Sequence, residues 1–115
     1  MSIVRIDSGK WLSRAVVFGD LVFLSGMTAD DVSQGIRGQT EQVLKKIDRY
    51  LAEAGTNKSL LLSAQIWLHD ISSWEEMTEV WMAWIDKNNP PARAAVGSSL
   101  GHGRLVEIMV TAAKQ

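Results

Sequence analysis

Two charged residues stand where their neighbours give them no ordinary surface role. Arg93 follows Pro90-Pro91 and is surrounded by Ala92, Ala94 and Ala95. An arginine among such small residues keeps space around its head group. A guanidinium with that space can grip a carboxylate through two parallel hydrogen bonds. Glu107 interrupts the otherwise apolar run from Leu105 to Val110. A carboxylate there is partly shielded from water, and a shielded carboxylate needs a partner or a raised pKa. Two readings of the pair follow. They form a structural bridge between neighbouring strands, or Arg93 holds an anionic ligand while Glu107 handles protons. Spacing carries no information on convergence in space, so both stay open here.

Other chemistries lack their residues. The chain has no cysteine, which removes disulfides, thiolate nucleophiles and cysteine metal sites together. His69 and His102 show no metal-ligand spacing, and no serine sits in a nucleophile elbow that would serve a Ser-His-Asp relay. His69, beside Asp70, reads as a hydrogen-bonded residue at a strand end. His102, between Gly101 and Gly103, reads as solvated, with a place on a pocket rim as its functional alternative. Gly101-His102-Gly103-Arg104 lacks the strand-to-helix setting and the Lys-Ser/Thr of a phosphate loop. Trp67, Trp74, Trp81 and Trp84 read as core or interface.

The formal net charge is -1, and the 12 Lys and Arg residues are scattered. Binding nucleic acid requires a concentration of cations, so no such partner is expected. Met1 to Lys10 has no apolar core of signal-peptide length, and no run approaches a membrane span. The expectation is a cytoplasmic protein without a membrane segment, forming one domain over residues 1–115.

The elements that must position Arg93 and Glu107 follow from periodicity. Ile3 to Ile6 is a short β-branched strand. Ser13 to Val17 and Leu21 to Ser25 flank Phe18-Gly19-Asp20, which predicts a β-hairpin. Ile36, Val43, Leu44, Ile47, Leu51 and Ala54 line one helical face, and Gly55 ends that helix. Leu61 to Leu68 alternates with Leu62, Ala64, Ile66 and Leu68 as its apolar set. Ser73 with Glu76 predicts a capping box opening a second helix. Its buried stripe is Trp74, Met77, Trp81 and Trp84, and Asn88-Asn89-Pro90-Pro91 stops it. Ala92 to Val96 and Leu105 to Ala112 are the last strands.

This order gives an α+β domain with two helices on one face of a mixed sheet. The last strand is apolar on both faces, with Val106, Ile108 and Val110 on one and Leu105 and Met109 on the other. Two helices cover only one face, so further subunits are expected over the second.

At these residues the chain resembles the Rid family of imine/enamine deaminases (the YjgF-type proteins). The resemblance runs from Ser13-Arg14-Ala15-Val16-Val17 and Gly19-Asp20-Leu21-Val22-Phe23-Leu24-Ser25-Gly26 through Gln39-Thr40 and Val43-Leu44. It continues through Leu51-Ala52-Glu53-Ala54-Gly55 and Ser63-Ala64-Gln65-Ile66-Trp67-Leu68 to Pro91-Ala92-Arg93-Ala94 and Val106-Glu107-Ile108. It implies a chorismate-mutase-like fold and a homotrimer with clefts between subunits. It further implies that Arg93 binds a substrate carboxylate and that Glu107 orients or activates water. The implied reaction hydrolyses a 2-imino acid, or its enamine tautomer, to a 2-keto acid and ammonia, with no metal or organic cofactor.

By the same resemblance Arg93, Ala94, Trp11, Leu12, Gly26, Met27 and Thr78 line the cleft. Three of these depart from the family pattern. Leu12 stands where a tyrosine is frequent, Met27 where a glutamine follows Ser-Gly, and Thr78 where the second helix carries an asparagine. Trp11 either supplies the missing ring or caps the core. These changes make the cleft less polar and place the chain with a side branch of the family rather than with its housekeeping member. The function expected is imine deamination, with a non-catalytic trimer that binds a small carboxylate as the alternative. A specialised deaminase of larger or cyclic imines is a third form.

Overall fold

The computed structural model describes Met1–Lys114. Six strands form one sheet: β1 (Ile3–Ser8), β2 (Ser13–Phe18), β3 (Leu21–Leu24), β4 (Leu61–Leu68), β5 (Ala92–Gly97) and β6 (Val106–Ala113). Two helices accompany it, α1 (Ile36–Glu53) and α2 (Trp74–Trp84). The spatial order is β1-β2-β3-β6-β4-β5. All neighbours are antiparallel except β4 and β5, which run parallel and are joined through α2. The mixed sheet with two helices is the α+β architecture expected from the order of patterns.

Local chemistry explains the boundaries. Gly19 adopts the left-handed backbone of the turn, pairing Phe18 with Leu21. At the end of α1, Gly55 is left-handed with φ 84°. The Gly55 amide donates to Ala52 and the Thr56 amide to Leu51, which closes the helix with its last carbonyls satisfied.

Four expectations change. The capping box at Ser73 does not form: its hydroxyl donates to the Asp70 carbonyl, while the Asp70 carboxylate accepts from the Ser72 amide. The stop signal comes earlier than the prolines too. Ile85 is already extended, and the Asp86 side chain accepts from the Asn88 amide and the Asn89 side chain, turning the chain away. In β4 a register shift between Leu61 and Ser63 changes the phase, so Leu61 is buried and Leu62 is exposed. Finally, Trp74 leaves the buried stripe of α2 and is 40% exposed.

The core lies between the helices and one face of the sheet. Val106, Ile108, Val110 and Ala112 of β6 are buried against residues such as Leu44, Ile47, Leu51 and Met77. Each fully buried aliphatic side chain of this kind contributes about 1.5–3 kcal/mol. The opposite face carries no helix and exposes Phe18, Phe23, Val96 and Met109. No helix among the described residues is long and apolar enough to cross a membrane.

Three polar residues are buried among the described residues, Gln39, Thr40 and Thr56, and Gln39 is 0% exposed. Its amide nitrogen reaches the carbonyls of Val32, Gln34 and Gly103, and its oxygen accepts from the Leu105 amide at 2.9 Å. It therefore ties the start of α1 to the segment that leads into β6. Gln39→Leu leaves these part-buried backbone groups without their side-chain partner, and a buried group left so costs about 1–3 kcal/mol. We expect that variant to lose about 3 kcal/mol or more of unfolding free energy, measured by urea denaturation.

Candidate functional site

Arg93 and Glu107 emerge from opposite faces of the sheet. Arg93 pairs with Ala64, which lies on the face covered by the helices. Glu107 pairs with Trp67, whose partner on β5 is the exposed Val96. β4 separates their strands, so the backbones are about 10 Å apart across the sheet before any offset along it. No ion pair joins them among the described residues. The structural Arg–Glu bridge between neighbouring strands is therefore absent from this chain.

Arg93 is held by α2. One guanidinium nitrogen (Nη2) donates to Thr78 Oγ1 at 3.3 Å. The head group lies 5.4 Å from the Trp74 ring centroid and 5.5 Å from that of Trp81. Each such cation–π contact is worth roughly 0.5–2 kcal/mol. The other terminal nitrogen, Nη1, is buried with no hydrogen-bond partner. Burial lowers the Arg93 pKa from its ordinary value, yet an arginine keeps its charge in any protein setting. The result is a half-buried cation with aromatic walls and no carboxylate partner among the described residues, which is suited to receiving an anion.

The second group of residues gathers around Glu107. Met27 forms a reciprocal backbone pair with Ile108, its amide donating at 2.9 Å and its carbonyl accepting at 3.1 Å. This lays Gly26 against the Glu107 side chain. A Cβ on Gly26 would sit 2.1 Å from Glu107 Oε2, so only glycine leaves the carboxylate where it is. Ser25, the preceding residue, has a buried hydroxyl without a partner.

The remaining predicted residues divide. Thr78 joins Arg93, as described. Ala94 points to the other face of β5, beside Gln65 and Met109 in a shallow hollow of about 300 Å³. Met27 is 1% exposed and belongs to the core, so its backbone, not its side chain, serves the Glu107 region. Trp11, 90% exposed, and Leu12 occupy the loop joining β1 to β2, where the Gly9 amide donates to the Leu12 carbonyl. Trp11 does not cap the core. Four strand spacings, about 19 Å, separate β2 from β5, so this loop cannot reach Arg93 of its own chain.

Sequence reasoning passed over Trp74 and Trp81 as site residues. Their signal was present, since Trp74, Thr78 and Trp81 fall at i, i+4 and i+7 on one helical row. His69 ends β4 as a hydrogen-bonded residue, accepting from the Leu100 amide at Nδ1. His102 is exposed and left-handed, with φ 55°. A groove of about 470 Å³ between the outer faces of α1 and α2 contains neither Arg93 nor Glu107.

With this geometry described, comparison with known proteins is informative. The family model described as Endoribonuclease L-PSP matches residues 3–114. A RutC family protein of Haemophilus ducreyi is 37% identical over 112 residues, covering 96% of each chain. A crystal structure from Neisseria meningitidis, described as a member of the YjgF protein family, is 40% identical with a TM-score of 0.95. It covers 100% of this chain and 97% of its own. A Rid family structure from Yersinia pestis is 32% identical with a TM-score of 0.86, covering 92% of this chain and 90% of its own. A match over nearly the whole chain in sequence and in structure places this protein in the YjgF/Rid family, the group to which the RutC family proteins belong.

Proposed function

We propose that the protein is a cytoplasmic homotrimer that hydrolyses 2-imino acids, or their enamine tautomers, in clefts between subunits. The observation that carries this reading is Arg93, a half-buried guanidinium with no carboxylate partner among the described residues. Each chain offers an Arg93 half, built from β5 and α2, and a Glu107 half, built from β6 and the segment after β3. The two lie on different surfaces, so a complete site needs the Arg93 half of one copy against the Glu107 half of the next. Contacts of that head-to-tail kind close into rings where the rotation between copies closes. The exposed apolar face of the sheet supplies area for them.

In such a cleft Arg93 holds the substrate carboxylate and thereby fixes the C=N carbon. Glu107 takes a proton from water as its oxygen attacks that carbon, and the imine nitrogen is protonated. Collapse of the tetrahedral adduct breaks the C–N bond and releases ammonia. A 2-imino acid and one water thus become a 2-keto acid and one ammonia. The imine carbon is already electrophilic, so orientation and proton transfer carry the rate. The name of the matching family model includes an endoribonuclease, but a net charge of -1 without a basic patch weighs against a nucleic-acid substrate here.

Decay of 2-imino acids generated in situ by an amino-acid oxidase tests this reading. Wild-type protein is expected to accelerate it, and Arg93→Ala to reduce the acceleration at least about 100-fold, from loss of a charge-assisted bidentate contact. Glu107→Gln should lower kcat by about 10²–10⁴. Sedimentation should find both variants trimeric. No acceleration by the wild type, together with Arg93-dependent binding of a small carboxylate, would establish the non-catalytic trimer instead.

Gly26→Ala separates position from chemistry. Its Cβ meets the movable end of Glu107 rather than backbone, so the fold should persist while the carboxylate shifts. A displacement near 1 Å costs up to about 100-fold in rate. We expect turnover to fall at least about 10-fold while the melting temperature stays within a few degrees, read by calorimetry on the same samples.

A further inference from the structure

A second gathering of charge lies far from Arg93. Where β1 and β2 face the second half of α1, a hollow of about 190 Å³ is lined by three cations, Arg14, Lys46 and Arg49. Neither Arg93 nor Glu107 belongs to it. Its apolar wall is Met27, 1% exposed, and the buried ring of Tyr50. Two carboxylates, Asp7 and Asp30, complete the lining, and both belong to exposed residues. The Lys46 side chain is only 27% exposed against 87% for Asp30, and Arg14 is half-buried. Water therefore screens the carboxylates more than it screens these two cations.

Both carboxylates already have partners. Asp30 accepts from Lys46 at 2.6 Å, and Lys46 also donates to the Thr28 carbonyl at 2.7 Å, which leaves one of its three N–H groups. Asp7 accepts from the Tyr50 hydroxyl. The register sets Asp7 opposite Arg14, between the pairs Ile6–Ala15 and Ser8–Ser13, yet no ion pair joins them. Asp7 has the left-handed backbone, φ 52°, that few residues other than glycine accept. Arg14 thus keeps its guanidinium fork without a carboxylate among the described residues. The Arg49 head group lies 4.9 Å from the Tyr50 ring centroid and meets Glu53 only through Nε, at 3.4 Å.

We propose that this hollow is a binding site for a small oxyanion of phosphate size, held by the Arg14 fork together with Lys46 and Arg49. Three cations against two carboxylates leave the lining net positive, and the groups without partners are N–H donors. They approach from a strand on one side and from a helix on the other. A phosphate, whose oxygens point in four directions, can meet both sides, whereas a planar carboxylate engages a single fork. The volume lies below the roughly 300–1,000 Å³ of pockets for larger ligands, so a small anion or the phosphoryl end of a metabolite fits the space. This site stands apart from the carboxylate receptor at Arg93 and does not rest on the proposed reaction.

The test titrates the full-length protein with inorganic phosphate and follows backbone amides by NMR. Arg93→Ala protein is titrated alongside, so that the Arg93 site does not contribute. Saturable shifts at Met27, Lys46 and Tyr50 are expected in both proteins. Arg14→Gln should weaken phosphate at least about tenfold, and Arg14→Lys, which keeps charge without the fork, should fall between. Arg49→Gln alters an exposed residue, so it should retain the fold even where Arg14→Gln does not, and should weaken phosphate about threefold. Calorimetry on the same samples checks folding. Methyl phosphate that binds alongside phosphate would identify a phosphoryl group on a larger molecule as the ligand, and its exclusion would identify the free anion. No saturable shift at these amides, equal shifts from sodium chloride at matched ionic strength, or affinity that ignores both arginine variants would overturn the site. Loss of phosphate binding in Arg93→Ala would assign the anion to Arg93 and overturn it as well.

Discussion

Strand β6 is the member on which the rest of the sheet depends. It pairs with β3 on one side and β4 on the other, so it alone joins the β1-β2-β3 meander to the parallel β4-β5 pair. Its helix-facing side is a row of buried Val106, Ile108, Val110 and Ala112, against which α1 packs, with Met77 of α2 in the same core cluster. Removing this strand would leave two small sheets, each with an open edge and an uncovered apolar face. Glu107 is carried on this strand, at its first turn of alternation to the other face. A strand paired on both sides thus carries the proposed proton-handling group, while the cation sits on the edge strand β5.

That division explains how one sheet serves two half-sites. A strand sends alternate side chains to opposite faces. Arg93 takes the helix side, where aromatic rings and a hydroxyl can hold a guanidinium without a carboxylate. Glu107 takes the uncovered side, with Gly26 against its carboxylate and Trp67 as its cross-strand neighbour. A chain that bonded these two groups to each other would satisfy both charges and leave no vacancy for a ligand. Keeping them on separate faces leaves Arg93 Nη1 without a partner, and the proposed assembly would decide what the two groups meet.

Much of this was legible in the residues. The Gly19 hairpin, the Gly55 helix end and the alternation of β6 are local patterns, and each stands in the structure where the pattern put it. The order of elements was enough for the α+β architecture with both helices on one face. What escaped the sequence depends on partners distant along the chain. The bulge at Leu61 and Ser63 exists only in register with β6, so the period of β4 read alone assigned Leu62 inward. Arg93 and Glu107 were recognisable as unusual, but the faces they occupy follow from pairing with β4. Trp74 looked like core by its spacing from Met77 and Trp81. Its use became visible only once β5 set a guanidinium beside it. Met27 shows the reverse error, since a residue beside a reactive group can serve it with backbone while its side chain fills the core.

The order of strands also sets the sequence of events during synthesis. The strand that joins the two halves is the last one made, after every element it must bind. A growing chain can form its first hairpin and α1 early, but the central place in the sheet stays empty until β6 itself has been made. Pairings this remote in sequence are slow, because the intervening chain must first be ordered. The nascent protein therefore passes through a stage with two unsatisfied strand edges flanking an apolar gap. Folding of the whole sheet, and with it the surface that a second copy would recognise, therefore waits for β6.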